Sequence, residues 1–308
     1  MHLRIKLLAA FLFSISTFQA FSQSVDDKKL IRHIAYLSAD DLKGRKTGTV
    51  ENDMAREYII DELRTSGINT LYADFTEEFR FQSRREGKTL VGKNVIGFVP
   101  GTVSKKIIVI TAHFDHVGIG KATAEGDSIF NGADDNASGT AALLELAKYF
   151  VENPPKHSML FAALDGEEMG LQGARALVAD FPFDLDQIAL NINMDMISRN
   201  EKGELYASGT YHNPELKSIL EEASAGKKPQ LKFGHDLPGT GSDDWTKSSD
   251  HGAFFEKGIP HIYFGVEDHE DYHKQSDEFK NIDPQFFIDA TNLILSCVLR
   301  FDEVLLKE

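Results

Sequence analysis

Four apolar runs in this chain each end in a cluster of imidazole and carboxylate side chains, and this recurrence constrains the fold more than any other feature. Ile107-Ile108-Val109-Ile110 leads through Thr111-Ala112 to His113-Phe114-Asp115-His116, and Met159 to Leu164 leads to Asp165-Gly166-Glu167-Glu168. Ile188 to Met194 delivers Asp195, and Ile259 to Phe264 runs into Glu267-Asp268-His269-Glu270-Asp271-Tyr272-His273. Short, mainly apolar runs of this kind read as strands buried on both faces, the pattern of parallel strands covered by helices. In such sheets ligands bind beyond the carboxyl ends of the strands, where the connecting loops open into a crevice. One histidine at one strand end is more often a satisfied core residue than a ligand. Four clusters meet in one crevice if the four strands are parallel members of one sheet. The pattern predicts an α/β fold with a mixed, mainly parallel central sheet flanked by helices.

Helical spacing fills the intervals. Leu30, Ile31, Ile34 and Leu37 mark a helix over 26–37, and Met54, Ala55, Tyr58, Ile59 and Leu63 mark a second that Gly67 ends. Ala142, Leu143, Leu146, Ala147 and Phe150 mark a third, stopped at Asn153-Pro154-Pro155. A helix over 214–223 follows, then a long one behind Asp283-Pro284 with Phe286, Ala290, Leu293, Ile294, Cys297 and Phe301 on its stripe. Further strands are expected at 79–81, 94–99, 206–210 and 231–233. The stretch 234–244 is turn-forming, and with Trp245 and Ser249-Asp250-His251 behind it is placed to wall a substrate pocket.

Arg4 and Lys6 precede an apolar segment from Leu7 to Phe21, with small Ala20 and Ser22 at the key positions of a cleavage site. This predicts a secretory signal peptide over 1–22 and a single catalytic domain over 23–308. Ser14, Ser16, Thr17 and Gln19 argue against a membrane span. The expected mature form is exported, periplasmic or extracellular, without membrane attachment. Cys297 is the only cysteine, which excludes an intrachain disulfide and fits a bacterial exported protein. The formal charge of −15, which becomes −17 without Arg4 and Lys6, argues against nucleic acid and anionic membrane surfaces as partners.

Histidine and carboxylate donors without thiolates suit zinc, and converging carboxylates need a cation to offset their repulsion. Asp115, two residues after His113, can accept the ring's second N–H. Helix capping explains one acid of Asp134-Asp135 but not both. In Glu167-Glu168 neighbouring side chains diverge, one toward a metal and the other toward a water.

Taken together, His113-Phe114-Asp115-His116, Gly132 to Gly139, Asp165 to Gly170, Asn193-Met194-Asp195-Met196 and Asp271-Tyr272-His273 resemble, in order, the motifs of the two-zinc aminopeptidases of peptidase clan MH. These are the bacterial leucyl-type aminopeptidases, whose relatives include glutamate carboxypeptidases and glutaminyl cyclases. The resemblance implies a phosphorylase/hydrolase-like zinc exopeptidase fold, peptide substrates and two zinc ions per chain. It assigns His113, Asp135 and Asp195 to one ion and Asp135, Glu168 and His273 to the other, with Asp135 bridging. Glu167 is then the general base, Asp115 orients His113, and the Asp135-Asn136 peptide bond is cis. Asn136 stands where many relatives carry a third acid. Asp134 competes for the bridging position, and His116 and His251 compete for the imidazole positions. An aminopeptidase is the preferred reading, because an acidic cleft attracts an α-ammonium group. A carboxypeptidase needs an Arg or Lys for the substrate's carboxylate, and a cyclase typically uses one zinc. A non-catalytic peptide-binding module on the same scaffold would lack ligands or base, whereas all five ligand positions and Glu167 are present here.

Overall fold

The computed structural model describes residues 23–83 and 86–304; the expected leader lies outside them. In chain order the elements are α1 (Asp27–Leu37), α2 (Val50–Ser66), β1 (Asn69–Thr70), β2 (Thr76–Ser83), β3 (Lys88–Val99), β4 (Ser104–His113), β5 (Gly118–Ile119) and β6 (Ile129–Phe130). There follow α3 (Gly139–Glu152), β7 (His157–Leu164), α4 (Gln172–Ala179), β8 (Ile188–Met194), β9 (Glu204–Ser208), α5 (Glu215–Ser224), β10 (Gln230–Phe233), α6 (His251–Phe255), β11 (His261–Gly265) and α7 (Pro284–Val304). Caps set the helix ends where the residue types invite them. The Asp26 carboxylate accepts the N–H groups of Lys28 and Lys29, Thr49 Oγ1 accepts that of Asn52, and Gly67 closes α2 at φ 82°.

Among the described residues nine strands form one mixed sheet in the order β1-β3-β7-β4-β8-β11-β9-β10, with β2 paired to β3. Its centre, β7-β4-β8-β11, is parallel, and the flanking pairs β3-β7 and β11-β9 are antiparallel. Register aligns the central strands. Thr111 on β4 lies opposite Ala162 on β7 and Asn193 on β8, and Asn193 lies opposite Tyr263 on β11. His113, Leu164, Asp195 and Gly265 therefore arrive at the same edge, and every polar cluster begins there.

β4 shows why the run is apolar on every residue. Ile108 and Ile110 pack with α1, α2, α3, α5 and α7 on one face, while Ile107 and Val109 pack with α4 and α6 on the other. Cys297 is buried and unpaired in α7. The expected stripe of α2 needs one correction: Met54 is exposed, and Asn52 points inward instead. Its amide donates to Arg45 O at 2.9 Å and to Asp165 Oδ1 at 3.1 Å, hydrogen bonds that offset the burial of a polar group. Among the described residues no helix is long and apolar enough to cross a membrane.

Candidate metal centre

His113 is the last residue of β4. Its carbonyl accepts the Thr140 hydroxyl at 2.8 Å, and its Nδ1 faces the backbone oxygen of Asp115 at 3.1 Å. The Asp115 carboxylate lies 3.7 Å from that nitrogen. It accepts instead the backbone N–H groups of Glu167 at 3.0 Å and Glu168 at 3.4 Å, and the Thr47 hydroxyl. The orientation expected from the Asp115 side chain thus comes from its carbonyl, while its carboxylate ties the β4 loop to the turn carrying the glutamate pair.

Asp134 and Asp135 open a single wide turn over 133–138 ahead of α3. The Asp277 carboxylate accepts both of their N–H groups, at 2.9 and 3.0 Å. The Asp135-Asn136 bond is cis, as the resemblance implied. Asn136 fastens the turn to the end of β8, donating to Met194 O at 2.9 Å and accepting from Gly139 N at 2.9 Å. Arg45, wholly buried, donates to the carbonyls of Phe114, Leu37, Asn131 and Gly132, and so links both acid-bearing loops to α1.

Two groups of donors result. His113 Nε2 lies 3.4 Å from Asp135 Oδ1 and 3.4 Å from Asp195 Oδ2. On the other side of Asp135, His273 Nε2 lies 3.0 Å from Asp135 Oδ2 and 3.2 Å from Glu168 Oε1. Zinc bonds of about 2.0–2.1 Å at tetrahedral angles put neighbouring ligand atoms about 3.3 Å apart, so these separations fit donors converging on a cation. Each group's donor atoms all lie within 4.8 Å of one another, and Asp135 belongs to both. His113 Nε2, Glu168 Oε1 and Asp195 Oδ1 are buried without hydrogen-bond partners, as donors awaiting an ion would be. Imidazole and carboxylate without sulfur fit zinc.

Charge compensation tells the same story. Burial opposes protonation of His113, yet Asp195, Asp115 and Asp135 hold its ring well above the usual imidazole range. Burial likewise opposes ionisation of Asp135, and the imidazoles of His116, His113 and His273 nonetheless hold its carboxyl well below the usual range. Glu167 belongs to neither group but lines one cavity with Asp135, Asp195 and His273, members of both. Burial, aided by Asp250, Asp195 and Glu168 against His113, pushes its carboxyl well above the ordinary value, the direction a general base requires.

The structure brings His113, Asp135, Glu168, Asp195 and His273 together and adds His116 to the second group. Asp134 is excluded from both: its oxygens accept Ser198 N at 2.7 Å and face His269 Nε2 at 2.9 Å. His251 is also elsewhere, facing Trp245 O at 2.8 Å and stacked on Tyr263. Arg45 and Asp277 carry no signal in the sequence, because they act through backbone partners and follow no spacing pattern. Two cavities flank the centre. One of about 150 Å³ is lined by Asp135, Glu167, Asp195, Trp245, Tyr263, Asp268 and Tyr272, among others; one of about 700 Å³ is lined by residues including Lys46, His116, Glu168 and Arg175.

Residues 94–298, which contain every donor of both groups, match Peptidase family M28. The chain belongs to peptidase family M28. This M28 chain is 30% identical over 190 residues to a probable zinc metalloprotease of Pyrenophora tritici-repentis, a match covering 53% of the chain and 43% of that protein. It is 28% identical over 201 residues to the aminopeptidase YwaD of Bacillus subtilis, covering 62% of the chain and 40% of that protein. The chain thus spans less than half the length of these two relatives. The M28 fold is also that of a Porphyromonas gingivalis glutaminyl cyclase, with a TM-score of 0.73 at 17% identity, over 89% of this chain and 98% of that one.

Proposed function

We propose that this M28 chain is an exported zinc-dependent exopeptidase, an aminopeptidase whose catalytic domain spans 23–308 behind a leader over 1–22. The observation that carries the reading is the pair of donor groups sharing Asp135, with Glu167 lining the same cavity as Asp135, Asp195 and His273. His113, Asp135 and Asp195 would hold one zinc ion, and Asp135, Glu168 and His273 a second. Bound zinc supplies Lewis acidity to the scissile carbonyl and acidifies water. Glu167 takes a proton from the attacking water and returns it to the departing amine, work that suits a carboxyl of raised basicity. Asp115 keeps the glutamate pair in place through the two backbone N–H groups it accepts.

The 150 Å³ cavity supports amino-terminal recognition. Beyond the zinc donors Asp135 and Asp195, its walls carry the carboxylates of Glu167 and Asp268, and among the described residues no lysine or arginine lines it. A free α-ammonium group finds a carboxylate partner there in Asp268, whereas a terminal carboxylate finds no cationic side chain among the described lining residues. In the larger cavity Lys46 pairs with Glu86 and Arg175 with Glu256, so neither cation is free for a substrate carboxylate. The curated relatives' names support peptide hydrolysis. The test uses zinc-loaded full chain on peptides with free and acetylated amino termini, and on a peptide beginning with glutamine. Release of the first residue from free termini only is expected. Carboxy-terminal release or pyroglutamate formation in its place would reject the assignment. Glu167→Gln should keep its zinc, measured by metal analysis, and lose turnover by about 10²–10⁴-fold.

A further inference from the structure

The second group holds four donors where the resemblance supplies three, and the additional one is His116. Its side chain is entirely buried, with Nδ1 2.8 Å from Glu168 Oε1 and 3.7 Å from Asp135 Oδ2. The short separation is misaligned for a hydrogen bond, and neither ring nitrogen has a hydrogen-bond partner. A buried imidazole without hydrogen-bond partners opposes folding unless something binds it. The ring meets that of His273 edge-on, centroids 5.7 Å apart, so two imidazoles approach the same two carboxylates from different sides. The backbone leaves room for it as well. A Cβ on Gly132, at the start of the turn carrying Asp135, would come within 2.6 Å of His116 Cγ and Cδ2.

We propose that His116, through Nδ1, is a fourth protein ligand of the cation held by Asp135, Glu168 and His273. The inference rests on the zinc reading above and goes beyond it in making the two positions unequal. Two imidazoles and two carboxylates complete the four-coordinate set that zinc takes in closed sites, whereas His113, Asp135 and Asp195 leave a fourth position open. The four-donor position retains its ion. The three-donor position exchanges its ion.

The test is X-ray absorption at the zinc edge on full-length chain loaded with zinc, together with metal analysis. Three ligating histidines over two ions give about 1.5 imidazoles per zinc at about 2.0 Å, and two histidines give about 1.0. The expected wild-type value is about 1.5, falling to about 1.0 in His116→Ala. That variant should also lose more than 100-fold in affinity for one ion and keep the other, beyond the 10–100-fold typical of residues that only support a ligand. A wild-type count near 1.0 with two ions bound overturns the proposal and leaves the zinc reading intact, as does an His116→Ala protein holding both ions unchanged. A wild-type chain that takes up no zinc overturns both. If His116→Ala does not fold, the wild-type count decides alone.

Discussion

Arg45 brings a full charge into the interior and satisfies it on four carbonyl oxygens, those of Leu37, Phe114, Asn131 and Gly132. Burial lowers its guanidinium to about 10 while Asp135, Asp277, Asp115 and Glu168 act in the other direction, so it is cationic at neutral pH. Replacing it leaves buried carbonyls without donors and unlinks the loops that carry His113 and Asp135. Arg45→Met should cost about 3 kcal/mol or more in urea unfolding and weaken zinc binding with it. A loss below about 1 kcal/mol would mean that the carbonyls find other donors. Lysine is no substitute, because one ammonium group cannot reach four acceptors spread around a planar fork. Nothing in Gly44-Arg45-Lys46 separates this residue from an ordinary turn cation, which is why the sequence conceals it. His113 and Asp195, by contrast, were legible because each stands where a long apolar run stops.

At the scale of elements, α6 and β11 each open on a buried histidine, and the rings of His251 and His261 stack at 5.4 Å. Burial holds His251 down at about 3 and His261 at about 4. The sign follows from the unfolded chain, in which both rings take up protons below about 6.5 while the folded chain keeps them neutral. Their effect on stability is therefore absent above about 6.5 and becomes increasingly destabilising as pH falls toward 3–4. Urea midpoints at pH 7.5 and 5.0 should diverge less in His251→Gln than in the wild type; equal divergence would show that this ring does not contribute. The central strands could be read from mainly apolar runs because both of their faces are covered. β1, β5 and β6, of two residues each, are too short to carry any periodicity. Met54 misled because tertiary hydrogen bonds turned Asn52 inward and rotated the buried stripe of α2.

Across the whole molecule, β4, β7, β8 and the loop after β11 each send acids or imidazoles to one edge of the sheet, where their charges repel until a cation joins them. Chelation should therefore lower the thermal midpoint, and added zinc should raise it again. A site filled at one hundred times its dissociation constant stabilises by about 2.7 kcal/mol. Calorimetry across a zinc series checks this, and a midpoint independent of zinc would contradict it. The parallel order β7-β4-β8-β11 was recoverable from the sequence only as a condition, because sequence neighbours need not be sheet neighbours. Coordinates turn that condition into register, with Thr111 opposite both Ala162 and Asn193. Donors hung from adjacent rungs of one ladder inherit their accuracy from it. A methyl group removed from buried Ile110, three residues before His113 on the same strand, should be felt at the crevice as an ion that escapes sooner, which ties retention of the metal to the fit of the interior.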